Sequence, residues 1–239
     1  MDYNRKQDGT CLSSPATTTR HGSPDCLTKN YAEIYVNKSQ IFKFVKRLFD
    51  ITISIIALII LSPLFLITAI LILFEDGRPI FYSQLRAGKN NRKFHCYKFR
   101  SMVKNADSLF FKMQKFNEKS GPVFKIQHDP RITKIGKFIR KYSIDELPQF
   151  INIVKGNMSI VGPRPIMAHQ MDQCNEYDRQ RLIVHPGLTC YWQIGGRYYI
   201  EWDEWIVLDL KYIEKMSIVE DLKIIANTIP VVLKGDGAF

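Results

Sequence analysis

A run of 24 residues without a charged side chain, from Ile51 to Phe74, constrains this chain more than any other feature. As one straight helix it would be about 36 Å long, enough to cross a hydrocarbon core of about 30 Å. The simplest interpretation is therefore a single transmembrane helix.

Two features of this run favour a different arrangement. Ser62-Pro63 lies at its midpoint, and proline kinks a helix because it lacks an amide donor and clashes with the preceding turn. Basic residues flank both ends, and the positive-inside rule keeps both flanks in the cytoplasm. The flanking residues are Lys43, Lys46 and Arg47 before the run and Arg78, Arg86, Lys89, Arg92 and Lys93 after it. We therefore expect a re-entrant helix-break-helix hairpin within residues 41–77, with a single transmembrane helix as the alternative.

The positive charge of the chain is concentrated in one stretch. The 239 residues carry a formal charge of +11, whereas residues 78–141 alone hold 17 basic and 3 acidic side chains, a net charge of +14. Such a block predicts an anionic partner, which could be phospholipid headgroups, nucleic acid or a phosphorylated substrate. Residues 1–40 are polar and lack the apolar core of a secretory signal, so we expect a mobile leader there.

The pattern of residues 78–239 predicts an α/β domain that is mainly helical. Short strands are expected at Pro79–Phe81 and Phe94–Phe99, around a turn at Gly88–Asn91. Residues 104–118 and 131–141 repeat apolar side chains at helical spacing between basic ones, a pattern typical of interfacial amphipathic helices. Residues 104–118 equally suit an ordinary surface helix.

The cysteine and glycine patterns exclude several classes of site. The five cysteines are odd in number and none forms a CxxC pair, which argues against a disulfide framework or a structural zinc site and fits a reducing compartment. Neither GxGxxG nor GxxxxGK[ST] occurs, so the sequence supports neither a Rossmann nor a P-loop nucleotide site.

The adjacent acids Asp145 and Glu146 follow the most basic part of the chain. In one interpretation they cap a helix: Ser143 is the N-cap, Glu146 completes a capping box, and the helix continues to Gly156. In the other, Asp145 stays ionised beside Arg140 and Lys141 and attacks a phosphorus atom. A neighbouring carboxylate can hold a divalent metal that neutralises phosphate charge.

Two loop-forming segments follow. Val161–Pro165 is a rigid turn that displays Arg164, either as a structural turn alone or to hold a phosphate or a planar base. Residues 185–197 form a second cluster of polar and aromatic side chains that ends at Arg197.

With these residues in view, the chain resembles the bacterial sugar transferases, the monotopic polyprenyl-phosphate phosphoglycosyl transferases, in their short, single-domain form. The matching motifs are KRLFDI (46–51), SPLF (62–65), RPIFYSQLRAG (78–88), YKFRSM (97–102), DPRITKIGKFIRKYSIDELPQFINIVKGNMSIVGPRP (129–165), HPGLTCYWQIGGR (185–197) and LDLKYIEKMSI (208–218). The chain departs from the family at Cys190-Tyr191 and at Gly195, in a loop that we expect to face the sugar or the nucleotide.

The resemblance implies an enzyme that moves a sugar-1-phosphate from a UDP-sugar to undecaprenyl phosphate and releases UMP. It implies magnesium as cofactor, Asp145 as the nucleophile of a covalent phosphosugar-enzyme, and Glu146 as its metal or base partner. Arg140 would bind phosphate and Arg164 the nucleotide. The further candidates for phosphate or nucleotide binding are Lys98, Arg100, Pro163 and Arg197.

The resemblance also implies a place in the cell and a set of partners. The hairpin would sit in the inner membrane with residues 78–239 as the catalytic domain on its cytoplasmic face, beginning a surface polysaccharide. Membrane lipids would be partners and nucleic acid would not. A second copy of the chain and downstream glycosyltransferases are the further partners that the resemblance suggests. The competing hypothesis is a non-enzymatic membrane adaptor or scaffold that binds anionic lipid or nucleic acid through residues 78–141.

Overall fold

A computed structural model describes residues 30–118, 121–124, 126, 128–196 and 200–235 of the chain. The helices are α1 (Tyr31–Val36), α2 (Gln40–Ile60), α3 (Ser62–Asp76), α4 (Ala106–Met113), α5 (Lys134–Lys141), α6 (Gln149–Val154), α7 (Ala168–Asp172), α8 (Glu176–Arg179), α9 (Tyr191–Gly195), α10 (Trp202–Lys215) and α11 (Ile218–Lys234). The strands are β1 (Phe81–Ala87), β2 (Lys93–Phe99), β3 (Ser159–Val161) and β4 (Gly187–Thr189). The predicted α/β fold with mainly helical content is confirmed.

The β1–β2 pair is an antiparallel hairpin whose register runs from Phe81 opposite Phe99 to Ala87 opposite Lys93. The prediction for the second strand is confirmed to within one residue, but the first strand was wrongly placed at Pro79–Phe81. The sequence of β1 mixes polar and apolar side chains, and most of them are exposed. Its extended conformation therefore comes from pairing with β2 rather than from an apolar pattern of its own.

The second sheet consists of the parallel strands β3 and β4. The backbone just beyond β3 comes so close to β4 that a Cβ atom added to Gly187 would lie 2.1 Å from the amide nitrogen of Gly162. Glycine is therefore required at this contact, because any side chain would separate the two segments. The sheet lies in the main hydrophobic core beside buried residues of α10 such as Ile206, Leu210 and Ile213.

Helices α2 and α3 are bent by 60° at a break where Ser62 and Pro63 begin α3. Pro63 has no amide hydrogen to donate to the carbonyl of Ile59, four residues earlier. The hydroxyl of Ser62 donates to that same carbonyl at 2.8 Å. The Ser62-Pro63 pair therefore breaks the helix and satisfies the carbonyl that the proline leaves without a partner. The segment is not one straight helix, and its return to the same side of a membrane stays a prediction.

Among the described residues, no helix taken alone combines the length and the apolar character that crossing a bilayer requires; α2 and α3 meet both requirements only together. Many of their large apolar side chains are exposed, up to 86% for Phe74.

The first half of α2 is anchored in the core by buried charges. The ammonium of Lys46 lies 2.6 Å from the Asp221 carboxylate of α11 and 3.7 Å from Asp50. Asp50 accepts a hydrogen bond from the amide of Ile160 in β3 at 3.1 Å, and Tyr212 donates to Asp221 at 2.7 Å. This network joins the start of the apolar hairpin to β3, α10 and α11.

Helix α1 lies within the stretch that we expected to be a mobile leader. Asn30 caps it by accepting a hydrogen bond from the amide of Glu33, and Tyr31 is buried in the main core. The prediction for residues 1–40 is therefore wrong for residues 31–36, because the aromatic side chain gives this segment a packing surface. Residues 1–29 lie outside the described part of the chain.

We predict that Asp221→Ala lowers the free energy of unfolding by about 3 to 5 kcal/mol, because it leaves the buried ammonium of Lys46 beside only the more distant Asp50. The measurement is chemical denaturation of the detergent-solubilised protein. Asp172→Ala, at an exposed carboxylate, is the control and should change stability by less than about 0.5 kcal/mol. Equal stability of Asp221→Ala and wild type would contradict the anchoring role of this network.

Candidate functional site

The adjacent acids lie on a single turn of 3-10 helix, Ile144–Glu146, between α5 and α6. Ser143 has a left-handed backbone with φ of 54° and makes no capping hydrogen bond through its side chain. The predicted capping box and continuous helix are therefore wrong. The tight turn directs Asp145 and Glu146 inward, and both are buried.

Glu146 is held between two cations from different parts of the chain. Lys98 of β2 donates to its Oε1 atom at 2.6 Å, and the guanidinium of Arg164 donates to both carboxylate oxygens. Burial raises the pKa of the Glu146 carboxyl, but the charges of Arg164 and Lys98 outweigh burial and hold this pKa well below its usual range. Glu146 is therefore ionised at neutral pH and its charge is already paired.

Asp145 is placed differently from its neighbour. Its Oδ2 atom is 3.8 Å from the ammonium of Lys98, beyond hydrogen-bond distance. Burial raises the pKa of the Asp145 carboxyl, with Lys98 opposing the rise and the charge of Glu146 adding to it. The nearby cations alone predict a lowered pKa for Asp145, whereas burial in the folded protein raises this pKa. The carboxylate of Asp145 is therefore buried near Lys98, while Lys98 makes its shorter contact with Glu146.

The loop that carries Arg164 is fixed through its main chain by two further arginines. Arg86 of β1 donates to the carbonyl of Pro165 at 2.9 Å, and Arg181 donates to the carbonyl of Arg164 at 2.6 Å. The Arg164 guanidinium also lies over the ring of Trp192, 5.7 Å from its centroid. Pro163 accepts a hydrogen bond from the amide of Gly187 at 2.9 Å. Side-chain and main-chain contacts thus determine the position of Arg164.

Arg181 is itself enclosed. It pairs with the carboxylate of Asp209 on α10 at 2.6 Å, and its guanidinium lies 5.5 to 5.8 Å from the rings of Trp202 and Trp205. Burial raises the pKa of Asp209 to about 7, although the charge of Arg181 opposes the rise. Arg86, Arg181 and Asp209 support the site, although no sequence pattern predicted this role for them. Arg86 falls in the motif RPIFYSQLRAG (78–88). No local pattern predicts the role of Arg181, because its partner Asp209 lies on a helix that is distant in sequence.

Helix α5 places Arg140 close to the acids. The carboxylate of Glu75 accepts hydrogen bonds from the amides of Lys134 and Ile135 at the helix N-terminus. At the other end, the Nε atom of Arg140 donates to the hydroxyl of Ser101 at 2.9 Å. The positive charge of Arg140 acts to lower the pKa of Asp145, against the larger rise that burial causes. Arg140 therefore contributes to the electrostatic surroundings of Asp145, and its role in phosphate binding stays a prediction.

The remaining candidates divide into two groups. Lys98 belongs to the site, whereas Arg100 donates to the carbonyl of Gly77 at 2.7 Å and lies 3.3 Å from Asp76 at the end of α3. A role of Arg100 in phosphate binding stays a prediction. Arg197 lies outside the described residues, and Ser62 and Pro63 belong to the helix break rather than to this site.

The described residues contain no cluster of three or more histidine, cysteine, aspartate or glutamate side chains with metal-binding geometry. Within the site, both oxygens of Glu146 accept hydrogen bonds from cations, so Asp145 has the freer carboxylate.

We predict a coupling energy of about 1 to 3 kcal/mol between Glu146 and Arg164 in a double-mutant cycle of Glu146→Gln and Arg164→Met. Removing the charge of either residue leaves the charge of the other buried and less completely paired. The two losses in the free energy of unfolding are therefore not additive. The measurement is the free energy of unfolding of the four proteins. The control cycle uses the exposed pair of Glu220 and Lys223, 3.3 Å apart, with an expected coupling below about 1 kcal/mol. Additive losses in the free energy of unfolding would refute a direct interaction between Glu146 and Arg164.

Comparison with known proteins places this site in a family. A family model described as bacterial sugar transferase matches residues 41–235. The galactosyl transferase CpsE of Streptococcus agalactiae is 48% identical over 196 residues, which cover 81% of this chain and 43% of the relative. The exopolysaccharide production protein ExoY of Sinorhizobium fredii is 42% identical over 198 residues, 81% of this chain and 88% of the relative.

The undecaprenyl-phosphate galactose phosphotransferase of Salmonella typhimurium is 40% identical over 206 residues, 82% of this chain and 42% of the relative. The chain therefore spans less than half the length of the Streptococcus and Salmonella proteins that it matches. The matched range includes the helix break, the acids of the 3-10 turn and the loop of Arg164. This chain belongs to the bacterial sugar transferase family.

Proposed function

We propose that this protein is a phosphoglycosyl transferase that moves a sugar-1-phosphate from a UDP-sugar to undecaprenyl phosphate and begins the synthesis of a surface polysaccharide. The observation that carries the proposal is the arrangement of the two acids. Glu146 is neutralised by Lys98 and Arg164, while the buried Asp145 lies 3.8 Å from Lys98. The name of the Salmonella relative supports transfer of a sugar phosphate to a lipid phosphate, and the name of the Streptococcus relative supports a sugar transferase.

In the first step, a carboxylate oxygen of Asp145 attacks the phosphorus that bears the sugar. A bond forms between this oxygen and phosphorus, the bond from phosphorus to the bridging oxygen of the diphosphate breaks, and UMP leaves with the electron pair. The raised pKa of Asp145 fits this role, because a desolvated carboxylate is a stronger nucleophile than one held by several hydrogen bonds.

In the second step, a phosphate oxygen of undecaprenyl phosphate attacks the same phosphorus. The bond from phosphorus to Asp145 breaks, the carboxylate is restored, and the product is an undecaprenyl-diphosphate sugar. Both substrates are anionic, which explains why the site is surrounded by Lys98, Arg140 and Arg164. Arg140 is assigned to phosphate and Arg164 to the nucleotide, with its guanidinium face already packed on Trp192.

Magnesium fits the donor set at this site. Mg²⁺ prefers oxygen ligands and is commonly held by one or two carboxylates together with substrate phosphates. Asp145 would be the main protein ligand, and Glu146 would contribute only if it exchanged a contact with Lys98 or Arg164. When bound, the ion would offset negative charge on the diphosphate.

We further propose that α2 and α3 insert into the cytoplasmic face of the inner membrane as a re-entrant hairpin. The 60° bend at Ser62-Pro63 and the basic residues on both flanks support a segment that enters and leaves on the same side. The exposed apolar side chains near the bend, such as Ile59, Ile60 and Leu66, would be in contact with lipid. The exposed Phe138 of α5, between Lys137 and Lys141, suits an interfacial helix beside the site.

We predict that Asp145→Asn reduces UMP release at least about a thousandfold, because the amide cannot form the covalent intermediate. The assay uses the detergent-solubilised full chain with undecaprenyl phosphate, magnesium and a panel of UDP-sugars, which also identifies the donor. The control, Asp172→Asn, should retain wild-type turnover.

Without undecaprenyl phosphate, wild-type protein should gain the mass of one sugar phosphate and release one equivalent of UMP, whereas Asp145→Asn should gain none. Turnover by Asp145→Asn would refute the nucleophile, and a wild-type protein that binds membranes but is inactive with every donor would favour the adaptor hypothesis.

We predict that cysteines introduced at Gln40 and at Lys104, on either side of the hairpin, react with a membrane-impermeant reagent from the same side of the membrane. Both positions are exposed, and Cys96, Cys174 and Cys190 are buried. The experiment uses inverted membrane vesicles, with Cys11→Ser and Cys26→Ser as the background. Labelling of the two positions from opposite sides would show a full crossing and refute the hairpin.

A further inference from the structure

A second basic concavity lies at the opposite end of the β1–β2 hairpin from the acids. It is a cleft of about 370 Å³ that we name the turn cleft, and its lining includes Lys89, Asn90, Arg92, Lys93, Asn157 and His185. Lys98 and Lys93 are five residues apart on β2, so the turn cleft and the candidate active site are separated by about 17 Å. It is therefore not part of the site that contains Asp145.

The lining of the turn cleft is suited to an anion. Three of its side chains are basic, two are asparagines, and no carboxylate is among the described residues that line it. Arg47 reaches its wall from α2, because a Cβ atom on Gly156 would lie 3.5 Å from Nη2 of Arg47. Concave surfaces of one charge concentrate the potential of that charge.

His185 in the lining of the turn cleft adds no charge of its own. Burial and the charges of Lys89 and Arg47 lower its pKa to about 4. At neutral pH the imidazole is therefore uncharged, and it makes a hydrogen bond with the main chain of Asn157. Lys89 donates to the hydroxyl of Tyr35 at 3.1 Å, whereas Arg92 and Lys93 are exposed at the mouth of the cleft.

The position of the turn cleft indicates where its ligand comes from. Arg47 precedes Ile51, the first residue of the uncharged run, by four residues, which is about 6 Å along a helix. If α2 and α3 enter the membrane, the cleft is at the level of the lipid headgroups. Residues 1–29 do not suit it, because they contain four basic and three acidic side chains.

We propose that the turn cleft binds the phosphodiester headgroup of an anionic phospholipid from the surrounding membrane, at a site separate from that of the substrates. The ligand would bind to Arg92 and Lys93 at the mouth, with Asn90 and Asn157 as additional donors. The choice of a lipid rests on the proposed membrane insertion, whereas the affinity for phosphate depends on the lining alone.

The test is isothermal titration calorimetry of the detergent-solubilised full chain with short-chain phosphatidylglycerol, phosphatidylcholine and inorganic phosphate. We expect phosphatidylglycerol to bind wild type, and Arg92→Gln/Lys93→Gln to weaken this binding at least about tenfold. Asn90→Asp should weaken this binding too, because it places a negative charge in the cleft. The variant should fold, because aspartate tolerates the left-handed backbone of Asn90, which has a φ of 53°. The matched control, Lys223→Gln/Lys234→Gln, removes two charges from α11 and should bind as wild type does.

Three outcomes would overturn the proposal. The first is no binding of phosphatidylglycerol to wild type, and the second is unchanged binding by Arg92→Gln/Lys93→Gln. The third is inorganic phosphate that binds as tightly as phosphatidylglycerol and displaces it, which would assign the cleft to a free phosphate.

UMP release by the same preparations separates this proposal from the proposed function. Unchanged lipid binding by Arg92→Gln/Lys93→Gln together with normal UMP release would refute only the turn cleft. Weakened lipid binding in that variant, with a wild type that is inactive on every donor, would refute only the transferase.

Discussion

The contact of Glu146 with Lys98 and Arg164 is the interaction on which the arrangement of the site depends. It joins the β1–β2 hairpin, the 3-10 turn after α5 and the loop after β3, which are separate in sequence. A buried carboxylate with two cations is stable only when all three are present, because removing one leaves an uncompensated charge. This requirement fixes the backbone next to Asp145, whose carboxylate has a weaker contact, 3.8 Å from Lys98.

A second set of buried charges holds the apolar hairpin to this framework. Lys46 and Asp50 of α2 meet Asp221 of α11 and the amide of Ile160 in β3. Arg100 fixes the end of α3 through Asp76 and Gly77. The hairpin is thus fastened at both ends to the domain that carries the acids. In the proposed function, this fixes the depth of the reacting groups relative to the bilayer surface, where the lipid phosphate is found.

Several features of the fold could be predicted from local sequence because their causes are local. Proline lacks an amide hydrogen in any helix, so the break at Pro63 between α2 and α3 was predictable. The apolar and basic pattern of residues 131–141 predicted α5. The capping box at Ser143 was not a reliable signal, since the residue adopts a left-handed backbone and Glu146 binds distant cations instead. Helix α1 was missed because it follows a long polar segment, although Tyr31 is buried and Ile34 and Tyr35 pack against the core.

The sequence by itself determined the candidate acids, the cations near them in the chain, the helix break and the family, because motif order and residue type carry that information. Only the tertiary structure decided which cation meets which acid. Lys98 from β2 and Arg164 from the loop after β3 both bind Glu146. Arg86 and Arg181 hold the loop of Arg164 through carbonyl groups that no side-chain pattern reveals. The difference between Asp145 and Glu146 has the same origin, because desolvation and charge pairing depend on distances in the folded chain rather than on position along it.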